Sequence, residues 1–243
     1  MKSQMSQLQG RGFLSQKDLD AFSHLSTTEL IGELESDDAV KRTVAIRLLA
    51  PSASSDDSMN LLFVERLRRE TKLYTKLELC GAIQNGGVGT ARMLVPLLGT
   101  IGKNQHRRPE PGVFRKTSYP LPRDIVARIL ARMDTQILPM LVSVIRDGPR
   151  IQVVEAIDAV GFMCFYSSVP GKDRMAALRA LISCLKGSPD DDLLQWKIVR
   201  AFESFNHPDC LTILAEIVAE SAIPEVRQEA RRSLTLVAKQ LPM

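Results

Sequence analysis

The chain has 243 residues, 44% hydrophobic and 25% charged, with a net charge of +4, a soluble globular balance. Aromatics make up only 5%, so the apolar content is mostly Leu, Ile, Val, Ala and Met, which suits helix-on-helix packing and argues against a sheet. The longest apolar run, residues 137–145, is broken by Pro139 and Ser143 and is far too short to span a bilayer.

The N-terminus, residues 1–12, carries one early lysine and no apolar stretch behind it, so no secretory signal is expected and a cytoplasmic location is. Residues 1–26 are predicted as an N-terminal segment with a short helix near 16–25. Ser26-Thr27-Thr28-Glu29 is a capping box that opens the first long-range repeat. Ser36-Asp37-Asp38 stops that helix and caps the next. From residue 27 to 243 one pattern recurs: an apolar helix, a short polar break, then a second helix with small and large apolar residues in fixed order. Val40-Lys41 leads to Val44-Ala45 and Leu48, and Thr75-Lys76 leads to Leu79-Cys80 and Ala82-Ile83. Pro122-Arg123 leads to Val126-Ala127, and Gln152-Val153 to Ala156-Ile157. Leu194-Gln195 leads to Ile198-Val199, and Val226-Arg227 to Ala230 and Ser233-Leu234. Offsets of three and four put these residues on one helical face.

The central positions 44, 79, 126, 156, 198 and 230 are 35, 47, 30, 42 and 32 residues apart. The two long spacings predict insertions, one at 103–121 and one around 167–172. Pro122, Pro149 and Pro224 stand where second helices should begin, and Gly148 and Gly187 where first helices end. Val44, Ala127, Ala156, Ile198 and Leu234 are expected between the helices. No stretch alternates with period two, so the expected fold is all-α, an α-α superhelix of about six helical hairpins.

The phrase Asp-x-x-Val-Arg-x-x-Ala-x-x-x-Leu, best matched by residues 37–48 and 224–234, resembles the HEAT-like repeats named after phycobilisome lyases. The resemblance covers roughly residues 27–238. It implies a HEAT/ARM-like solenoid and leaves function open, because scaffolds, chromophore lyases, an iron hydroxylase and DNA glycosylases share the fold. The segment 103–123, with its Asn-Gln-His start and Tyr-Pro-Leu-Pro-Arg-Asp continuation, is similar to one in bacterial HEAT-repeat proteins. That similarity implies a bacterial source and no activity.

Motifs for catalysis are few. His24, His106 and His207 are each followed by a residue other than Glu, whereas the HEAT-type iron hydroxylase uses repeated His-Glu pairs. HExxH, GxSxG and GxxxxGK[ST] are absent from the sequence. The four cysteines, Cys80, Cys164, Cys184 and Cys210, form no CxxC pair and read as buried thiols. No cofactor or metal is therefore expected. Residues 86–91 look superficially like a phosphate loop but lack the third glycine and a preceding strand. A loop with Thr90 as helix cap, or a weak anion site at a helix N-terminus, are the two readings.

The basic insertion is the most informative feature. Lys103, Arg107, Arg108, Arg115, Lys116 and Arg123 stand against one acid, Glu110, so residues 103–123 carry +5 while the remainder carries −1. Prolines 109, 111, 120 and 122 deny the segment a helix, and Phe114 and Tyr119 interleave with the charges. Two readings follow: a loop packed over the solenoid through its aromatics and prolines, or a binding loop for an anionic partner. The binding candidates are Asn104, Gln105, His106, Arg107, Arg108, Arg115, Lys116, Tyr119 and Arg123. A second set lies on second helices, which line the concave face in HEAT-like arrays: Lys41, Lys76, Arg128, Trp196, Arg200 and Arg227. These cations either form a positive stripe or pair with acids such as Asp37, Asp38, Asp147 and Glu225. Trp196 is either a stacking platform or core.

The expected function is a non-catalytic binding or scaffold module with a protein partner. Nucleic acid is the second partner class, through resemblance to HEAT-like alkylpurine DNA glycosylases, which use tryptophans around a catalytic aspartate. Here only Trp196 is present, with Asp158 as the carboxylate that reading would need. A tetrapyrrole lyase is a third alternative that rests on the repeat's name alone.

Overall fold

The computed structural model describes residues 4–53, 56–112 and 116–240. Helix accounts for 71% of it, and the described residues contain no strand. The chain divides into two compact units, Met1–Leu94 and Val95–Met243.

The first unit holds α1 (Met5–Gln9), α2 (Gln16–Phe22), α3 (Thr27–Glu33), α4 (Ala39–Ala53), α5 (Asp57–Arg69), α6 (Leu73–Ile83) and α7 (Val88–Leu94). The start of α3 is the expected capping box: Ser26 Oγ accepts from the Glu29 amide, and Glu29 accepts from the Ser26 amide at 2.8 Å. Asp38 accepts from the Val40 amide at 2.7 Å. Second helices α4 and α6 lie side by side, and α5 and α7 pack as the layer beneath. Val44, Ala45, Leu79 and Ala82 form the seam, all buried. Small residues there let the backbones approach. A buried ion pair crosses the same seam, Arg42 on α4 to Glu70 just ahead of α6 at 2.9 Å. Burial alone would raise the Glu70 pKa, but the Arg42 guanidinium and the amides of Lys72 and Thr71 outweigh it and hold the group at about 2.

The second unit holds α8 (Ile125–Leu130), α9 (Leu138–Asp147), α10 (Arg150–Tyr166), α11 (Gly171–Gly187), α12 (Asp192–Ala201), α13 (Pro208–Glu220) and α14 (Pro224–Gln240). Helices α8, α10, α12 and α14 pack in series, α9 lies against α11, and each of α9, α11 and α13 folds back on its successor. The hairpins α9–α10, α11–α12 and α13–α14 are thus antiparallel repeats. Within each unit the fold is the expected all-α stacked-hairpin class. Pro149 and Pro224 fall at the starts of α10 and α14, and Gly148 caps α9.

Three local expectations change. The spacing of 42 residues contains no insertion at 167–172; it is taken up by α10 and α11, 17 residues each, with a join of only Ser167–Pro170. Thr90 is no helix cap, since α7 begins at Val88 and the Thr90 hydroxyl donates to Asp57 at 3.3 Å. Leu234 is half-buried, while Val226, Ala230, Ser233 and Val237 take the inward face of α14. Val44, Ala127, Ala156 and Ile198 are fully buried as expected.

Candidate functional site

The segment that interrupts the repeat, residues 98–124, contains no helix among its described residues. Its two ends are tied together. Gln105 Nε2 donates to the Ile101 carbonyl at 2.8 Å and to Asp124 Oδ2 at 2.9 Å. Asp124 is buried and caps α8 through the Ala127 amide at 2.8 Å. Burial raises its pKa, opposed by those hydrogen bonds.

From that clasp the loop runs across the second-helix layer. His106 packs edge-on against Trp196 of α12, with ring centroids 4.9 Å apart. Tyr119 is buried beside Phe165 of α10, and its carbonyl accepts from the Tyr166 hydroxyl at 3.0 Å. Its ring end sits on Gly161, where any Cβ would collide with the Tyr119 hydroxyl. The Lys116 carbonyl accepts from Arg232 of α14 at 2.8 Å. Arg128 of α8 donates to the Pro122 carbonyl at 3.0 and 3.1 Å. The loop therefore straps α8, α10, α12 and α14.

Beneath the strap lies a chain of buried charge. Lys197, fully buried, meets Glu155 at 3.0 Å and Asp158 at 2.9 Å. Arg200 stacks over the Trp196 ring at 3.9 Å and pairs with Glu229 at 3.0 Å. Arg232 pairs with Glu203, which also accepts from Ser233 at 2.8 Å. Burial pushes Glu155 up to about 7, against the pull of Lys197. Burial holds His106 down to about 4, so its imidazole is neutral at ordinary pH.

The loop residues thus separate into two groups. Gln105, His106 and Tyr119 are committed inward. Lys103, Asn104, Arg107, Arg108 and Lys116 are exposed, and no ion pair engages Lys103, Arg107, Arg108 or Lys116 among the described residues. Arg123 is half-exposed and pairs with Glu110. Phe114 and Arg115 lie outside the described residues. Lys103, Asn104, Arg123 and Arg128 line one shallow cleft of about 330 Å³ that contains no acid. Arg107 and Arg108 share another with Asp190, Asp191 and Asp192.

The second-helix set also divides. Trp196 presents no surface for stacking because His106 and Arg200 enclose it, and Arg200 is buried with it. Lys41 on α4 is 3.8 Å from Glu33, not paired with Asp37 or Asp38. Lys76 and Arg227 are half-buried. Asp158, the carboxylate a glycosylase would need, is held by Lys197. The pairing residues Lys197, Glu155, Glu203 and Glu229 escaped the sequence reading. Glu155, Lys197 and Glu229 fall on the unspecified position just before the central residue of the repeat phrase, where a charge carries no signal. Among the described residues no group of three or more His, Cys, Asp or Glu could hold a metal ion, and no helix is long and apolar enough to cross a membrane.

No protein-family description and no curated protein match the chain. Solved structures similar to it include the archaeal HEAT-like repeats protein from Thermococcus onnurineus NA1, 15% identical, with all of both chains covered and a TM-score of 0.46. A designed armadillo repeat protein in complex with the peptide (KR)4 is also 15% identical, over 88% of this chain and 100% of that one, with a TM-score of 0.42. The structural neighbours of this chain are HEAT-like and armadillo repeat proteins.

Proposed function

We propose that the protein is a non-catalytic binding module that engages an acidic segment of a protein partner through the outer edge of its strap. One observation supports this: the strap buries its histidine and tyrosine while four cations, Lys103, Arg107, Arg108 and Lys116, stay exposed without ion-pair partners among the described residues. Packing explains the buried half. It does not explain cations held on a stiff, proline-rich backbone, where their entropy of ordering is already reduced. Arg123 and Arg128 extend the edge beside Lys103.

The test is the fourfold variant Lys103→Ala, Arg107→Ala, Arg108→Ala, Lys116→Ala, titrated against a poly-glutamate peptide at several salt concentrations. Exposed charges contribute about 0.2–1 kcal/mol each, so the variant should bind about fourfold to a thousandfold more weakly, chiefly through slower association. Its melting temperature should stay at the wild-type value, because none of the four side chains enters the packed layer. Equal binding by variant and wild type overturns the proposal. Retention of nucleic acid by the purified wild type, read from absorbance at 260 and 280 nm before and after a high-salt wash, would transfer the same edge to phosphate recognition.

A further inference from the structure

The strap does not lie flat on α10 and α12. It arches over a cleft of about 450 Å³, within the size range of small-molecule sites. The floor is Asp158 and Arg200, each only 5% exposed. The rim is Glu110 and Arg123, and the walls include Pro120 and Pro122.

Each floor residue is satisfied from one side alone. Lys197 reaches Asp158 Oδ2 at 2.9 Å, and Glu229 reaches Arg200 Nε and Nη2 at 3.0 and 3.2 Å. No described residue hydrogen-bonds Asp158 Oδ1 or Arg200 Nη1. Since both side chains line the cleft and are buried elsewhere, their remaining surface faces it. Arg200 is also held rigid by its stacking on Trp196. His106 forms part of the wall, with its side chain 6% exposed and its Nδ1 buried without a partner among the described residues.

Charge selects the class of that occupant. Two guanidinium groups and two carboxylates line one small space. A simple anion would meet both carboxylates, and a simple cation both arginines. A molecule carrying one charge of each sign meets two partners and no uncompensated repulsion. We propose that the cleft under the strap binds a small zwitterion, a free amino acid, with its carboxylate on Arg200 and its ammonium on Asp158, the Arg123–Glu110 ion pair closing the rim. The prolines and the Trp196–Arg200 stack preform the site, which keeps the ordering cost of binding low. This site shares only Arg123, at its rim, with the outer edge, and it stands whether or not Lys103, Arg107, Arg108 and Lys116 bind a partner.

The experiment is thermal melting and calorimetry of the full chain with each standard L-amino acid in turn at about 10 mM. At least one should raise the melting temperature by a few degrees and bind with Kd at or below about 1 mM. Its N-acetylated form and its decarboxylated amine should each bind at least about tenfold more weakly, since each removes one charge pair. Arg200→Lys and Asp158→Asn should weaken binding similarly. Both touch buried pairs, so Leu121→Trp is the companion variant: Leu121 lines the cleft at 38% exposure, and an indole there should fill it and abolish binding without lowering the melting temperature. The fourfold cation variant should bind the amino acid as the wild type does. The proposal is overturned if no amino acid shifts the melt, if the acetylated or decarboxylated analogue binds equally well, or if binding survives Leu121→Trp.

Discussion

Tyr119 shows how the strap is held and what its closure leaves unmet. The ring fills the space over Gly161 and against Phe165, yet the hydroxyl is buried with no partner among the described residues. Burial raises its pKa well above the usual tyrosine range, with the nearby Asp158 charge adding to the effect. An unsatisfied buried hydroxyl costs about 1–3 kcal/mol. Tyr119→Phe should therefore keep the packing, remove the unmet group and leave urea stability equal or higher. Tyr119→Ala should instead lose about 3–5 kcal/mol through the cavity it opens. A Phe variant markedly less stable than wild type would mean that the hydroxyl is bonded, most simply to a buried water.

At the scale of the helix pair, small residues set the spacing. Ala156 and Ala159 of α10 are fully buried in the layer that α8 and α12 join. Ala156→Leu should overpack that layer and cost about 1–3 kcal/mol in urea denaturation. Leu234→Ala, at a half-buried position, should cost less than a typical core truncation of about 2–5 kcal/mol. Unchanged stability for Ala156→Leu would displace the register of α10. Most of this was legible in the chain, because alanines spaced three and four residues from large aliphatic residues leave a helix few ways to face its neighbours. The last helix misled by one position, since Ser233, a polar residue, takes the inward place by bonding Glu203. The site was less legible than the fold. Basic charge marked the loop, but its inward half depends on distant partners, such as Tyr166 and Arg232, 47 and 116 residues away. Lys197 and Glu155 look like ordinary exposed helix charges until the strap covers them.

For the whole molecule, these buried groups make stability depend on pH in two opposed ways. His106 sits at about 4 in the fold against an ordinary value of 6.5, chiefly through burial. Below about 6.5 the unfolded chain takes up a proton that the fold resists, so this stabilisation is full above about 6.5 and is lost as pH falls toward about 4. Glu155 sits at about 7 against 4.5. The fold keeps a proton there that the unfolded chain releases, so stability falls as pH rises from about 4.5 to about 7. The slopes oppose each other between about 4.5 and 6.5 and should leave a broad plateau in the wild type. Glu70, held at about 2 against 4.5, adds the acid limb, its contribution being lost as pH falls from about 4.5 to about 2. Urea denaturation across about pH 4 to 8 separates the groups. His106→Asn should remove the first slope and move the stability maximum to lower pH. Glu155→Gln should remove the second, so that stability rises with pH up to about 6.5 with nothing to oppose it. If the His106→Asn profile keeps the wild-type shape, the imidazole titrates in the fold as it does in the unfolded chain, and the strap does not bury it in solution.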